Sequence, residues 1–115
     1  MKSGTKYEQG EIVIVPFPFT DLSSVKQRPV LILSKDDYND IEEDIITCGI
    51  TSNIKDEQRS IILDNAKLIN GEIPLTSRIK VDKLFTLHKS IIKKSIAKIN
   101  EETFKEVKNK LVNLF

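Results

Sequence analysis

The sequence is poor in the residues on which most enzyme chemistry depends. It has one histidine, one cysteine, four glycines and no tryptophan. With a single imidazole and a single thiol there is no Cys-x-x-Cys or His-x-x-x-His pair, so a zinc site has no ligand set. The acidic stretch DDYNDIEED (Asp36–Asp44) contains no glycine and lacks the ligand spacing of a calcium loop. Four glycines build neither a phosphate loop nor a dinucleotide fingerprint, and no metal or other cofactor is expected. The lone Cys48 cannot close an internal disulfide, which fits a reducing compartment. Uninterrupted apolar runs are a few residues long, far short of the ~20 that span a bilayer. The N-terminal MKSGTKYEQGE lacks the apolar core of a secretory signal. These absences point to a cytoplasmic protein with no membrane partner, and the length suits a single domain over residues 1–115.

What is present is an ordinary globular composition, 39% hydrophobic and 30% charged, which argues against disorder. The net charge of +1 favours no partner by itself, but its distribution is uneven. Eight acidic residues and only Lys55 as a base lie between Asp36 and Glu57. Seven basic residues and only Asp82 as an acid lie between Arg78 and Lys98. Such a split is either two solvated surfaces or an acidic region set against a basic groove for a polyanion.

Apolar residues come mostly in short β-branched runs. EIVIVPFPF (Glu11–Phe19) reads as a strand that must end or reach an edge by Pro16, because proline donates nothing to a ladder. Thr20 to Gln27 reads as a polar loop. Pro29 then opens a second strand, VLILS, whose continuous apolar character predicts burial on both faces. The acidic segment is a connection with a helical turn, followed by a third strand, DIITCGITS, with Ile46, Cys48 and Ile50 on one face. SIILD is a short fourth strand, and Asn70-Gly71 suits a tight turn. RIKVDKLFTLH alternates, with Ile79, Val81, Phe85 and Leu87 inward and Arg78, Lys80 and Asp82 outward, and KSIAKI is the last strand. Asn100 then caps a helix whose first turn carries Glu101 and Glu102, with Phe104, Val107, Leu111 and Leu114 at helical spacing. The pattern is mainly β, an α+β chain of five to seven short, mostly antiparallel strands forming a small barrel closed by a C-terminal helix.

Few residues remain to carry chemistry. Cys48 falls on the apolar face of its strand and reads as a small buried thiol, and His88 falls on an outward face without a nucleophile beside it. Arg28 is different. It opens RPVLIL (Arg28–Leu33), so a permanently charged planar fork of donors that matches phosphate oxygens stands at the mouth of a buried strand. Thr51, at the end of the next strand, offers a hydroxyl to the same point. A surface ion pair is the ordinary alternative for such an arginine.

Three ordered blocks, GEIVIVPFPFTDLSSVKQRPVLILS, ITSNI and SRIKVDKLFTL, resemble the MazF/PemK toxins of bacterial type II toxin–antitoxin pairs, closest to the PemK-like branch. The resemblance runs from about Gly10 into the C-terminal helix. It implies a small SH3-like barrel, usually homodimeric, and a metal-independent endoribonuclease acting on single-stranded RNA, with a cognate antitoxin protein as partner. It implies Arg28 and Thr51 as catalytic residues stabilising charge on the phosphate while the RNA 2′-hydroxyl attacks. The products would then be a 2′,3′-cyclic phosphate and a 5′-hydroxyl. Asp21 is the nearest carboxylate in sequence that could serve the site. Lys26, Gln27, Ser52 and Asn53 flank the centre as candidates to read base edges, and Lys80 and Lys83 as candidates to meet phosphates. Phe17 and Phe19 are candidates to stack on bases or to pack the barrel. A non-catalytic barrel that only binds, and a gyrase-targeting toxin of related fold, are the alternatives.

Overall fold

A computed structural model describes residues 6–18, 25–55 and 58–115. Asp21, Phe19 and the side chain of Phe17 lie outside the described residues. The strands are β1 (Glu11–Pro18), β2 (Val25–Ile32), β3 (Asp44–Thr51), β4 (Ser60–Leu63), β5 (Leu68–Gly71), β6 (Ser77–His88) and β7 (Lys94–Ile99). The helices are α1 (Asp36–Ile41) and α2 (Glu101–Val112). The strands form one antiparallel sheet in the order β4-β6-β3-β2-β1-β7-β5. Its two edge strands, β4 and β5, are consecutive in the chain and separated only by a short 3-10 turn at Asn65–Lys67. The five residue steps from Leu63 to Leu68 span at most ~18 Å, so the sheet has to curl until its edges approach. The result is a seven-stranded curled half-barrel with a C-terminal helix, as the apolar pattern predicts.

Two apolar clusters fill the two faces of this sheet. One gathers Ile12, Leu31, Cys48, Ile50, Leu63, Ile79, Val81 and Val107, and Phe104 and Leu111 of α2 pack against it. The other gathers Val13, Val15, Val30, Ile32 and Ile45 under Tyr7, Leu87, Ile91 and Ile92. The run VLIL thus divides strictly by alternation between the two faces, and Val30, Leu31 and Ile32 are almost wholly buried. Each such side chain contributes roughly 1.5–3 kcal/mol relative to exposure. Cys48 is fully buried, and desolvation, aided by the Asp82 charge, pushes its thiol up to about 12, so it is an inert core residue. The α2 cap forms as expected, with the Asn100 side chain accepting from Thr103 N at 2.8 Å. The helix stops at Val112, so Leu114 packs half-buried beyond its end rather than on its face.

Several boundaries differ from the sequence expectation for identifiable reasons. Of the two courses open to β1 at Pro16 it takes the edge, and it pairs with β2 as far as Pro18–Val25. Its other neighbour, β7, leaves after Ile14, so both prolines lie on a free edge where their missing N–H costs no ladder bond. That pairing also draws Val25 to Gln27 into β2 instead of a loop. Asn70-Gly71 is not a hairpin turn but the end of β5. Gly71 has φ +74°, and a side chain there would put Cβ 2.0 Å from the Ile96 carbonyl oxygen, so the glycine allows β5 to lie against β7.

The largest departure is in β6. Cys48 pairs with Leu84 while the next residue, Gly49, pairs with Lys80, so residues 81–83 are looped out of the ladder. An odd insertion exchanges the two faces of everything beyond it. Ile79 and Val81 face the first cluster as expected, whereas Leu87 packs on the second and Phe85 is turned out of the core altogether.

Candidate active site

The register of three strands brings the candidate residues into a row. Val30 of β2 is opposite Gly49 of β3. Arg28 lies two residues before Val30 and Thr51 two residues beyond Gly49, and Thr51 is in turn paired with Arg78 of β6. Gly49 is paired with Lys80. All lie on the side of the second cluster, where the core gives out, and they surround a depression of about 330 Å³. Its rim and floor include Arg28, Thr51, Asn53, Lys55, Arg78, Lys80, Lys83 and Phe85. Five of these are cations, and no carboxylate is among the described residues that line it. Such a concave, one-signed surface focuses field lines and concentrates anions.

Each polar side chain has a defined setting. Arg28 is half-buried in the middle of β2, where it pairs with Val15 of β1. Thr51 Oγ1 accepts from the backbone N–H of Asn53 at 3.1 Å, which uses a lone pair and not the hydroxyl proton. Arg78 donates from Nε to the Ile54 carbonyl at 3.2 Å and from Nη1 to Ser60 Oγ at 2.9 Å. Gly49, without a side chain, leaves the Phe85 ring edge at the pocket floor.

The residues nominated from sequence do not all meet. Arg28, Thr51, Asn53 and Lys80 line this pocket, as does Lys83. Lys26, Gln27 and Ser52 line a second depression of about 340 Å³ on the other side of the β2 and β3 ends, walled by apolar residues such as Ile14, Leu75 and Ile96. Strand alternation sends Gln27 to the opposite face from Arg28, whereas Ser52 lies in the bend that follows β3. Arg28 borders both depressions. Asp21 lies outside the described residues.

Three residues of the pocket escaped the sequence reading. Phe85 was hidden by the β6 bulge. Arg78 was placed outward but given no role, since only the ladder shows it opposite Thr51. Lys55 had a visible signal, being the one base in the acidic stretch. The basic tract as a whole does not form one groove. β6 alone is 12 residues, a span of roughly 40 Å, so its ends cannot share a site. Lys89 Nζ donates to the Asn39 carbonyl at 2.6 Å and Lys98 Nζ to Glu8 Oε1 at 2.6 Å, both far along the chain from the pocket lysines. His88 is exposed beside Glu43 and Ser90, and the buried Cys48 has no access to it.

The sequence matches the family model of the PemK-like, MazF-like toxins of type II toxin–antitoxin systems over residues 8–115. The chain belongs to this toxin family. Solved structures share the MazF fold. A MazE–MazF complex from Deinococcus radiodurans aligns with a TM-score of 0.78 at 21% identity, covering 96% of each chain. An endoribonuclease from Mycobacterial species aligns at 0.74 and 17% identity, covering 95% of this chain and 90% of that one. A second endoribonuclease, in complex with its cognate antitoxin and also from Mycobacterial species, aligns at 0.76 and 16%, covering 93% and 92%. No curated protein sequence matches the chain. Among the described residues of this PemK/MazF-family chain no helix is long and apolar enough to cross a membrane.

Proposed function

We propose that this toxin is an endoribonuclease that cuts single-stranded RNA without a metal ion, with Arg28 and Thr51 at its centre. The observation that carries the reading is the pocket itself: a guanidinium and a hydroxyl on adjacent strands, ringed by Lys55, Arg78, Lys80 and Lys83 with no described carboxylate among them. In the reaction the RNA 2′-hydroxyl loses its proton and forms a bond to the adjacent phosphorus. The P–O5′ bond breaks, and the 5′-oxygen takes up a proton. Cyclic phosphate and 5′-hydroxyl ends result, with no added reactant. Negative charge builds on the non-bridging oxygens, where the Arg28 fork and the Thr51 O–H donate. Arginine is no base at neutral pH, its pKa exceeding ~12, so its part is charge stabilisation. Lys80 and Lys83 neutralise flanking phosphates, and Gln27, Lys26 and Ser52 in the second depression meet the neighbouring nucleotide. A strand of RNA crossing the Arg28 ridge would touch both depressions.

Two of the structural relatives are complexes with an antitoxin or with MazE. By extension this chain is a cytoplasmic toxin, a homodimer, neutralised by a cognate antitoxin that covers the cationic pocket. The test is cleavage of a long single-stranded RNA by the purified protein in excess chelator, beside Arg28→Ala. Chelator-resistant cuts with cyclic phosphate ends, reduced ~10²–10³-fold in the variant, are expected. Equal cutting by both proteins would remove Arg28 from the mechanism. An RNA left intact by folded wild type would sink the nuclease reading.

A further inference from the structure

The connection that follows β3 carries a chain of hydrogen bonds whose direction is fixed. Thr51 Oγ1 accepts from Asn53 N, and Asn53 Oδ1 accepts from Lys55 N at 3.2 Å. A backbone N–H can meet only an acceptor, so the oxygen of the Asn53 amide is turned onto its own loop and the NH2 group faces away. Asn53 is exposed and lines the pocket with Arg28 and Lys80. What it offers a ligand is therefore a donor.

Arg78 holds this segment in place. Its fork ties the Ile54 carbonyl and the Ser60 hydroxyl, at the start of β4, to β6. Ile54 stands between Asn53 and Lys55, and its side chain is 53% exposed, so apolar packing does little to fix the segment. We propose that Arg78 is a positioning residue, clamping residues 51–55 so that the Asn53 amide selects a base with a carbonyl at its edge, guanine or uracil, beside the scissile phosphate. This rests on the ribonuclease activity proposed for the same pocket. Guanine presents O6 and uracil O4 where adenine and cytosine present an amino donor. N7, common to both purines, does not discriminate, so the selection falls on the exocyclic group. An amide donor set against an amino donor leaves both unsatisfied. Arg78 can clamp two acceptors at once because its donors form a rigid planar fork, which lysine lacks.

The experiment is sequencing of the ends cut from a randomised single-stranded RNA pool by wild type, Asn53→Asp, Arg78→Ala and Arg78→Lys, with melting curves to show that each is folded. Aspartate keeps an acceptor for Lys55 N and replaces the donor by an oxygen. Wild type is expected to enrich guanine or uracil at one position beside the cut. Asn53→Asp is expected to move that enrichment to adenine or cytosine, by about 5-fold or more in relative rate. Both Arg78 variants are expected to cut more slowly with the preference flattened. An unchanged preference in Asn53→Asp overturns the proposal, and that arm stands even if the Arg78 variants fail to fold. Full rescue by Arg78→Lys would reduce Arg78 to a simple charge. Wild-type cutting without preference beside the cut overturns the inference and leaves the ribonuclease standing. No cutting at all removes both.

Discussion

The two ends of β6 make an instructive pair. At one end Arg78 faces Thr51, and at the other His88 faces Asp44 across the same two strands. Both ends carry basic side chains. At the His88 end they are matched: His88 Nε2 lies 3.2 Å from Glu43 Oε1, and Lys89 donates to the Asn39 carbonyl. At the Arg78 end five cations crowd a concave surface whose described lining supplies no carboxylate. A concave surface of one sign draws in anions. A basic tract marks a candidate site where curvature gathers its charges into one concave surface.

The strongest challenge to this contrast, beyond Arg28, is to alter the hydroxyl at the Arg78 end. Thr51→Val keeps the shape and removes the donor, and cleavage is expected to fall about 10²-fold in single-turnover assays. A rate within twofold of wild type would take Thr51 out of the chemistry. Next comes the charge itself. Lys80→Ala with Lys83→Ala should weaken RNA binding and make it less sensitive to salt. The log–log salt slope should shrink by about 1.4, at ~0.7 for each single-strand phosphate that is no longer neutralised. An unaltered slope would mean that these lysines are solvated rather than binding.

The smallest effect belongs to the opposite end. His88→Ala removes an exposed pair in which the two side chains are 50% and 85% accessible. Such pairs contribute roughly 0.2–1 kcal/mol. Cleavage should be unchanged and the melting temperature should move by only a few degrees. A large loss of cleavage here would erase the distinction between the two ends.

Much of the fold was legible in the chain alone. Alternation and β-branched runs pointed to the strands, the division of VLIL between two faces, the inert Cys48 and the Asn100 cap, because each depends on neighbours a few residues away. Arg28 and Thr51 were nominated beside buried runs and by family resemblance, and both line one pocket. The failures share a cause. Val25 to Gln27 are drawn into β2 by pairing with β1, and Gly71 is required by a strand that is distant in sequence.

Local periodicity was enough to settle most of the strands, the burial of both faces of VLIL and the C-terminal helix. Which residues meet was settled only by tertiary pairing. The three residues looped from β6 invert its faces and send Phe85 to the pocket. The antiparallel register sets Arg78 against Thr51, and alternation parts Gln27 from Arg28's cationic side. Register and bulges are fixed by pairing between strands far apart in the chain, and a one-residue slip in either changes every neighbour while leaving the sequence pattern untouched.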